Sequence, residues 1–416
     1  MNKYNKYLII IFYLSLTIFN SNASEINLEF ERSAIEEHCA AVFENFENKL
    51  LENNWEILTS NNHTTDYLYL DNNNNKVTVR KILRGDKING IRYIFHDGIQ
   101  NPKLMVNVDK KCIVKLSRLL IKNEKGTIDS IANLSKDLKL VIDQEFFNPP
   151  LPEAKPFIGT KVAIVDTGVN YTLKFINSNL SRENSKTLSG YDFEDDDLLP
   201  FDIDISRSLF FPFHHGTAVT SIILREAPLS EIVAYRFPRS DMCKFKLLIN
   251  HIASNKIKIV NLSMGSKQEK DWVCFKHAAY QHKNILFIVS AGNDGINIDD
   301  KGVYPASFDL ENIIVITSSD IFGNLARDSN FGKNSVDFLI PGEQIPVIDH
   351  RGVRTKASGS SYAVPRVVAM AVRYLSKNPN ASVGDIKNIL ISRAVNNNQF
   401  VKYGWIPDPL DDYLFD

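Results

Sequence analysis

Four short segments in the second half of this chain carry side chains that, brought together, can cleave an acyl bond. Asp166 stands in Asp166-Thr167-Gly168, directly after the apolar run Val162 to Val165. His215 opens His215-Gly216-Thr217-Ala218-Val219-Thr220-Ser221, where Gly216 permits close backbone approach. Asn293 lies in Ser290-Ala291-Gly292-Asn293-Asp294-Gly295, and Ser361 in Gly359-Ser360-Ser361-Tyr362-Ala363-Val364-Pro365. A helix is expected to run from the last segment to about Lys377, with Pro365 in its first turn. Ser361 would then sit at the positive end of that helix, which suits developing negative charge. A serine hydroxyl is a poor nucleophile at neutral pH and needs an imidazole base. The base needs a carboxylate to orient it, and the oxyanion needs a donor such as an amide. Taken singly, each segment also reads as an ordinary turn or helix start, and spacing alone leaves His214 as an alternative to His215.

The elements around these segments point to a parallel sheet. Apolar runs at Val162–Val165, Ile232–Tyr235, Ile257–Leu262, Ile285–Val289 and Ile313–Ile316 alternate with helical stretches such as Phe245–Ser254 and Phe275–His282. Strands that are apolar throughout belong to a sheet covered on both faces. Functional groups then gather at the carboxyl ends of the strands. Before this region, Pro149, Pro150, Pro152 and Pro156 mark a linker. The preceding stretch reads as a smaller α+β module. It has a helix over 33–51, with Ser33 and Glu36 at capping-box spacing and Ile35, Cys39, Phe43, Phe46 and Leu50 on one face. Strands are expected at 67–70, 76–83, 91–95, 104–108 and 113–116, and a second helix over 128–146.

In the order Asp, His, Asn, Ser, the four segments resemble the subtilisin family of serine proteases, the subtilases, whose Asp-His-Ser order differs from that of chymotrypsin-like proteases and α/β-hydrolases. The resemblance spans about residues 157 to 395 and includes further landmarks: Leu262-Ser263-Met264-Gly265, Tyr304-Pro305-Ala306, Ser329-Asn330-Phe331-Gly332 and Pro341-Gly342. It implies a serine endopeptidase with Asp166, His215 and Ser361 as catalytic triad and Asn293 as oxyanion donor. Ser263, Met264, Gly265, Ala291 and Gly292 become substrate-binding positions. Val303 and Asp294 would border the pocket for the residue before the cut, making it shallow or suited to medium-sized or basic side chains. The chain departs from the family at Ser360, where Thr is usual, at Tyr362 for Met, at Arg366 for His and at Ala369 for Gly. The resemblance implies no cofactor for catalysis. Calcium stabilises many relatives, but neither Glu194 to Asp197 nor Asp299-Asp300 has a ligand spacing that marks a metal site. The alternative reading is an inactive subtilase fold that binds peptides.

The 416 residues suit two domains after a targeting segment. We divide them as a signal peptide over 1–23, an α+β domain over 24–150 and the α/β domain over 151–416. Lys3 and Lys6, the apolar run Leu8 to Phe19 and Ser21-Asn22-Ala23 form the signal pattern; the run is about 12 residues, short of the ~20 that span a bilayer. Export to a periplasm or the exterior follows. The 24–150 domain occupies the place of the inhibitory propeptide that exported subtilases commonly carry, with a permanently attached accessory domain as the alternative. Polypeptides, and this domain as an inhibitor, are the expected partners. With 44% hydrophobic and 23% charged residues and a formal net charge of −1, the composition is that of a globular protein, not a nucleic-acid binder. Cys39, Cys112, Cys243 and Cys274 allow three pairings. Their arrangement suggests one bridge on each side of the linker, Cys39–Cys112 and Cys243–Cys274, with free buried thiols as the alternative.

Overall fold

The computed structural model describes residues 26–44, 47–71, 73–98, 101–395 and 399–411. The expected signal segment, Phe46 and the last acidic residues, Asp412 and Asp416, lie outside them. The chain divides into two compact units, one ending at Glu145 and the other running from Phe146 to Asp416.

The N-terminal unit is an antiparallel meander. Eight strands follow in sequence order: β1 (Trp55–Ser60), β2 (Thr64–Leu70), β3 (Lys76–Arg84), β4 (Lys87–Asp97), β5 (Asn101–Val108), β6 (Val114–Lys122), β7 (Ile128–Leu134) and β8 (Val141–Phe146). Helices α1 (Glu29–Phe43) and α2 (Glu47–Glu52) precede them. The period of two in the strands puts Tyr67, Val77, Val79, Tyr93, Phe95, Leu104 and Val106 on one face, where they share a core with Ala34, Ile35, Cys39 and Val42 of α1. Cys39 and Cys112 are bridged.

Three expectations fail here. The one helix expected over 33–51 is two, α1 and α2. The stretch 128–146 is not helical: it forms β7 and β8, joined by a turn in which the Ser135 hydroxyl and Asp137 carboxylate take N–H groups of Lys139 and Leu140. Its apolar residues pass for a helical stripe, but strand β6 supplies a register partner for each residue from Ile128 to Asn133 except one at a bulge. The capping box at Ser33 is also absent. Helix α1 starts earlier, at Glu29, so Ser33 lies within it.

In the C-terminal unit eight strands form a parallel sheet in the order β12-β13-β9-β14-β15-β16-β17-β20. They are β9 (Thr160–Asp166), β12 (Tyr191–Asp192), β13 (Ser230–Arg236), β14 (Ile259–Leu262), β15 (Leu286–Ser290), β16 (Ile313–Ser319), β17 (Phe338–Pro341) and β20 (Gly404–Trp405). The short strands β10 (Arg182–Asn184) with β11 (Thr187–Leu188), and β18 (Ile345–Ile348) with β19 (Arg354–Ala357), pair beside it. Helices α3 (Lys174–Asn177), α4 (Gly216–Glu226), α5 (Phe245–Ser254), α6 (Val273–Gln281), α7 (Ser360–Lys377) and α8 (Val383–Arg393) complete the unit. Leu248, Ile249 and Ile252 of α5 and Phe275, Ala278 and Ala279 of α6 share a core with alternate strand residues Ala163, Val165, Val233, Val260, Phe287 and Val289. Helices α4 and α7 pack against each other, and α7 lies along the central strands. Both faces are thus covered, which is why the central strands carry consecutive apolar residues rather than an alternation. Cys243 and Cys274 are bridged, tying the turn before α5 to the start of α6.

Strand β9 lies between β13 and β14, so the strand order reverses direction there. In open α/β sheets such a reversal opens a crevice at the carboxyl ends of the strands. Asp166 ends β9, and Ser263 follows β14, at that point. Among the described residues no helix is long and apolar enough to cross a membrane.

Candidate active site

Asp166 is buried at the end of β9, and Gly168, with φ of 95°, turns the chain away from the sheet. A side chain on Gly168 would strike the Phe201 carbonyl, so the turn has room for glycine alone. His215 is the N-cap residue of α4. The helix start is fixed from both sides. Thr167 Oγ1 accepts the N–H of His215 at 3.0 Å and of Gly216 at 2.9 Å, and donates to Asp202 Oδ1 at 2.5 Å. Asp202 accepts the N–H of Thr217 at 2.9 Å. These bonds occupy donors that have no intrahelical acceptor.

The imidazole meets the carboxylate squarely: His215 Nδ1 lies 2.8 Å from Asp166 Oδ1 and 2.9 Å from Oδ2. Nδ1 therefore carries the proton and Nε2 holds the lone pair. Burial pulls the His215 pKa down, but the charge and hydrogen bond of Asp166, with Asp202 behind it, outweigh burial and leave it above the usual histidine value. His214 turns the other way, with Nδ1 on the Asp202 carbonyl at 2.5 Å. The Tyr362 ring packs 5.3 Å from that of His215, and burial, with the Asp166 and Asp202 charges, pushes its hydroxyl up to about 12.

Helix α7 begins at Ser360, so Pro365 falls in the second turn and not, as its position in the motif suggests, the first. The Ser361 N–H lies in the first turn, where no intrahelical acceptor exists. Its hydroxyl lies 3.2 Å from the Ser263 carbonyl. Asn293 is held by a chain of hydroxyls. Its Oδ1 accepts the Ser360 N–H at 2.8 Å and the Ser360 hydroxyl at 2.9 Å. With its proton so placed, Ser360 Oγ receives one from Ser290 Oγ at 2.7 Å, and Ser290 Oγ accepts the Gly292 N–H at 3.1 Å. The amide is thereby oriented with Nδ2 as its unengaged end. Asn330, fully buried, braces the same loop: it accepts from Asp294 and Ile296 and donates to the Ala291 carbonyl.

Asp166, His215, Ser361, Asn293, Ser263, Met264, Gly265 and Gly292 all line one cleft. Ala291 does not; it is wholly buried beneath the loop. Val303 lines the cleft between two glycine walls: a side chain on Gly265 would come within 3.4 Å of its Cγ1, and one on Gly292 within 3.8 Å. Sequence reasoning missed Thr167, Asp202, Ser290 and Asn330 as supports; Ser360 stood out only as a departure.

The carboxylates of the acidic stretches are engaged within the chain. Asp192 and Asp195 pair with Arg236, Asp196 with Lys244, and Glu194 accepts the Arg239 N–H. Asp299 caps the N–H groups of Asn334 and Ser335.

A profile of the subtilase family matches residues 158–405, the whole sheet from β9 to β20. The chain belongs to the subtilase family. It is 27% identical over 236 residues to a thermophilic serine proteinase of Bacillus sp. strain AK1, covering 53% of each chain. With the epidermin leader peptide-processing serine protease EpiP of Staphylococcus epidermidis it shares 23% identity over 399 residues, 85% of this chain and 80% of that one. The crystal structure of a lanthipeptide protease superposes with a TM-score of 0.50 at 19% identity, covering 62% of this chain and 88% of the other. The chain spans about half the length of the thermophilic proteinase it matches.

Proposed function

We propose that this subtilase is an exported serine endopeptidase and that Asp166, His215 and Ser361 are its catalytic triad. The observation that carries the reading is the imidazole of His215, seated on both oxygens of Asp166, in a cleft whose walls also hold Ser361 and Asn293. His215 Nε2 takes the hydroxyl proton as Ser361 Oγ attacks the peptide carbonyl, and Asp166 stabilises the imidazolium. Asn293 Nδ2 and the Ser361 N–H stabilise the oxyanion. His215 returns the proton to the leaving amine, and a water molecule then opens the acyl-enzyme by the same steps in reverse. No cofactor takes part. Ser263 to Gly265 pair with the extended substrate backbone, which gives affinity with little sequence demand. Val303 between its glycine walls limits the pocket before the cut to medium-sized side chains.

The N-terminal unit acts as a removable propeptide. Support comes from the EpiP alignment, which covers more of the chain than the C-terminal unit. A slow, nonlocal α/β topology also gains from a folding template. Amino-terminal sequencing of the exported protein should find a start beyond this unit.

Two variants test the chemistry. Ser361→Ala should abolish both casein cleavage and labelling by a fluorophosphonate probe. Asn293→Ala should fold and lose roughly 100- to 1000-fold in kcat, the range found when such a donor is removed from a subtilisin. An unaltered protein that binds peptides but neither cuts them nor takes the probe would favour the inactive binder instead.

A further inference from the structure

Among the described residues the cleft carries one cation that neither the proposed chemistry nor a neighbouring carboxylate uses. Arg207 lines it from an exposed loop, with its guanidinium 5.7 Å from the centroid of the Phe213 ring. Phe213 is itself 40% exposed on the same wall, and it stacks on His215 with centroids 5.7 Å and planes 18° apart. The loop is closed at its base, where Asp204 and Phe213 exchange backbone hydrogen bonds of 2.9 and 2.8 Å. The other cations on the cleft wall already have carboxylates. Arg239 pairs with Asp204 at 2.8 Å and Lys267 with Asp294 at 3.3 Å. Among the described residues Arg207 has no such partner.

A guanidinium lying over a ring keeps its edge N–H groups open, and that edge matches a carboxylate in two parallel hydrogen bonds. The ring also restrains the arginine, so less side-chain freedom is lost on binding. Phe213 offers an apolar surface for the methylene stem of a glutamate. Arg239 and Asp204 continue this wall to Met264, which belongs to the segment assigned to the substrate residues before the cut. Resting on the endopeptidase reading, we propose that Arg207 and Phe213 form a specificity subsite for an acidic side chain, Glu or Asp, within the three residues preceding the cleaved bond.

The test uses the exported protein and peptides that differ only in Glu, Gln or Lys at each of those three positions. At one position kcat/KM should favour Glu over Gln by about tenfold at low ionic strength, with the ratio shrinking as salt screens the pair. Arg207→Ala should bring that ratio close to one, and Arg207→Glu should invert it in favour of Lys. Thermal unfolding of both variants at the unaltered Tm shows that the loss is local. A Glu-to-Gln ratio within twofold at all three positions, or a ratio unchanged in both variants, overturns the subsite. If no peptide is cut and the probe leaves Ser361 unlabelled, the endopeptidase reading itself falls, and the subsite with it.

Discussion

At the residue scale, the reacting groups stand in motifs, but the groups that hold them do not. Asp166, His215, Asn293 and Ser361 each end or follow a strand or open a helix, and their order alone marks them. The hydroxyl chain from Ser290 through Ser360 to Asn293 joins residues 70 positions apart, and nothing in a serine's neighbours announces such a bond. Asp202, buried under the start of α4, sits in a loop with no pattern at all. The Ser360 chain makes a distinct prediction. Ser360→Ala leaves Asn293 Oδ1 with a single bond, so the amide rotates more freely and kcat should fall about tenfold, with KM little changed. Ser360→Thr, which restores a hydroxyl, should recover most of it. Steady-state kinetics on one peptide separates these outcomes; equal rates for Ala and Thr would remove Ser360 from the positioning of the amide.

At the scale of elements, the continuous apolar runs identified the central strands because burial on both faces leaves no polar alternation to blur them. The antiparallel unit was less legible. Its stretch 128–146 carries apolar residues at spacings a helix also tolerates, and only pairing with β6 decides the matter. Arg366 gains an explanation at this scale. Its Nε lies 3.1 Å from Glu226 Oε1, a buried pair that joins the end of α4 to α7, the helices bearing His215 and Ser361. Glu226→Ala would leave the largely buried Arg366 guanidinium with the Pro341 carbonyl alone, at a cost of about 3 kcal/mol. Urea unfolding should show this loss, and activity should fall as the two helices loosen. Stability within 1 kcal/mol of the unaltered protein would count against the pair as a clamp.

At the scale of the whole molecule, acid acts on the N-terminal unit through a buried imidazole. In the N-terminal unit His38 is fully buried among Trp55, Tyr67 and Tyr93, with Nδ1 3.1 Å from the Tyr93 hydroxyl. Burial, with the Lys81 charge adding to it, lowers its pKa from 6.5 to about 3. The unfolded chain thus binds a proton that the folded unit refuses. Stability is whole above pH 6.5 and declines by about 1.4 kcal/mol per unit as pH falls from there towards 3. Denaturant unfolding of the full chain at pH 7 and pH 4.5 should reveal this decline in the N-terminal unit, and His38→Phe should abolish most of it. An equal decline in that variant would assign the acid sensitivity to other groups. The helix expected at 128–146 and the strand β1 that the sequence did not reveal both lie in this unit, where a half-exposed sheet weakens the apolar signal.

The placement of the two cystine bridges has an analytical consequence. Each loop closes on itself, one between Cys39 and Cys112 and the other between Cys243 and Cys274. A nick anywhere between Cys112 and Cys243 therefore yields two fragments that migrate separately even without reductant, whereas a nick inside either loop stays hidden until thiol is added. Paired denaturing gel lanes, reduced and oxidised, thus tell a scission inside either loop from one outside both.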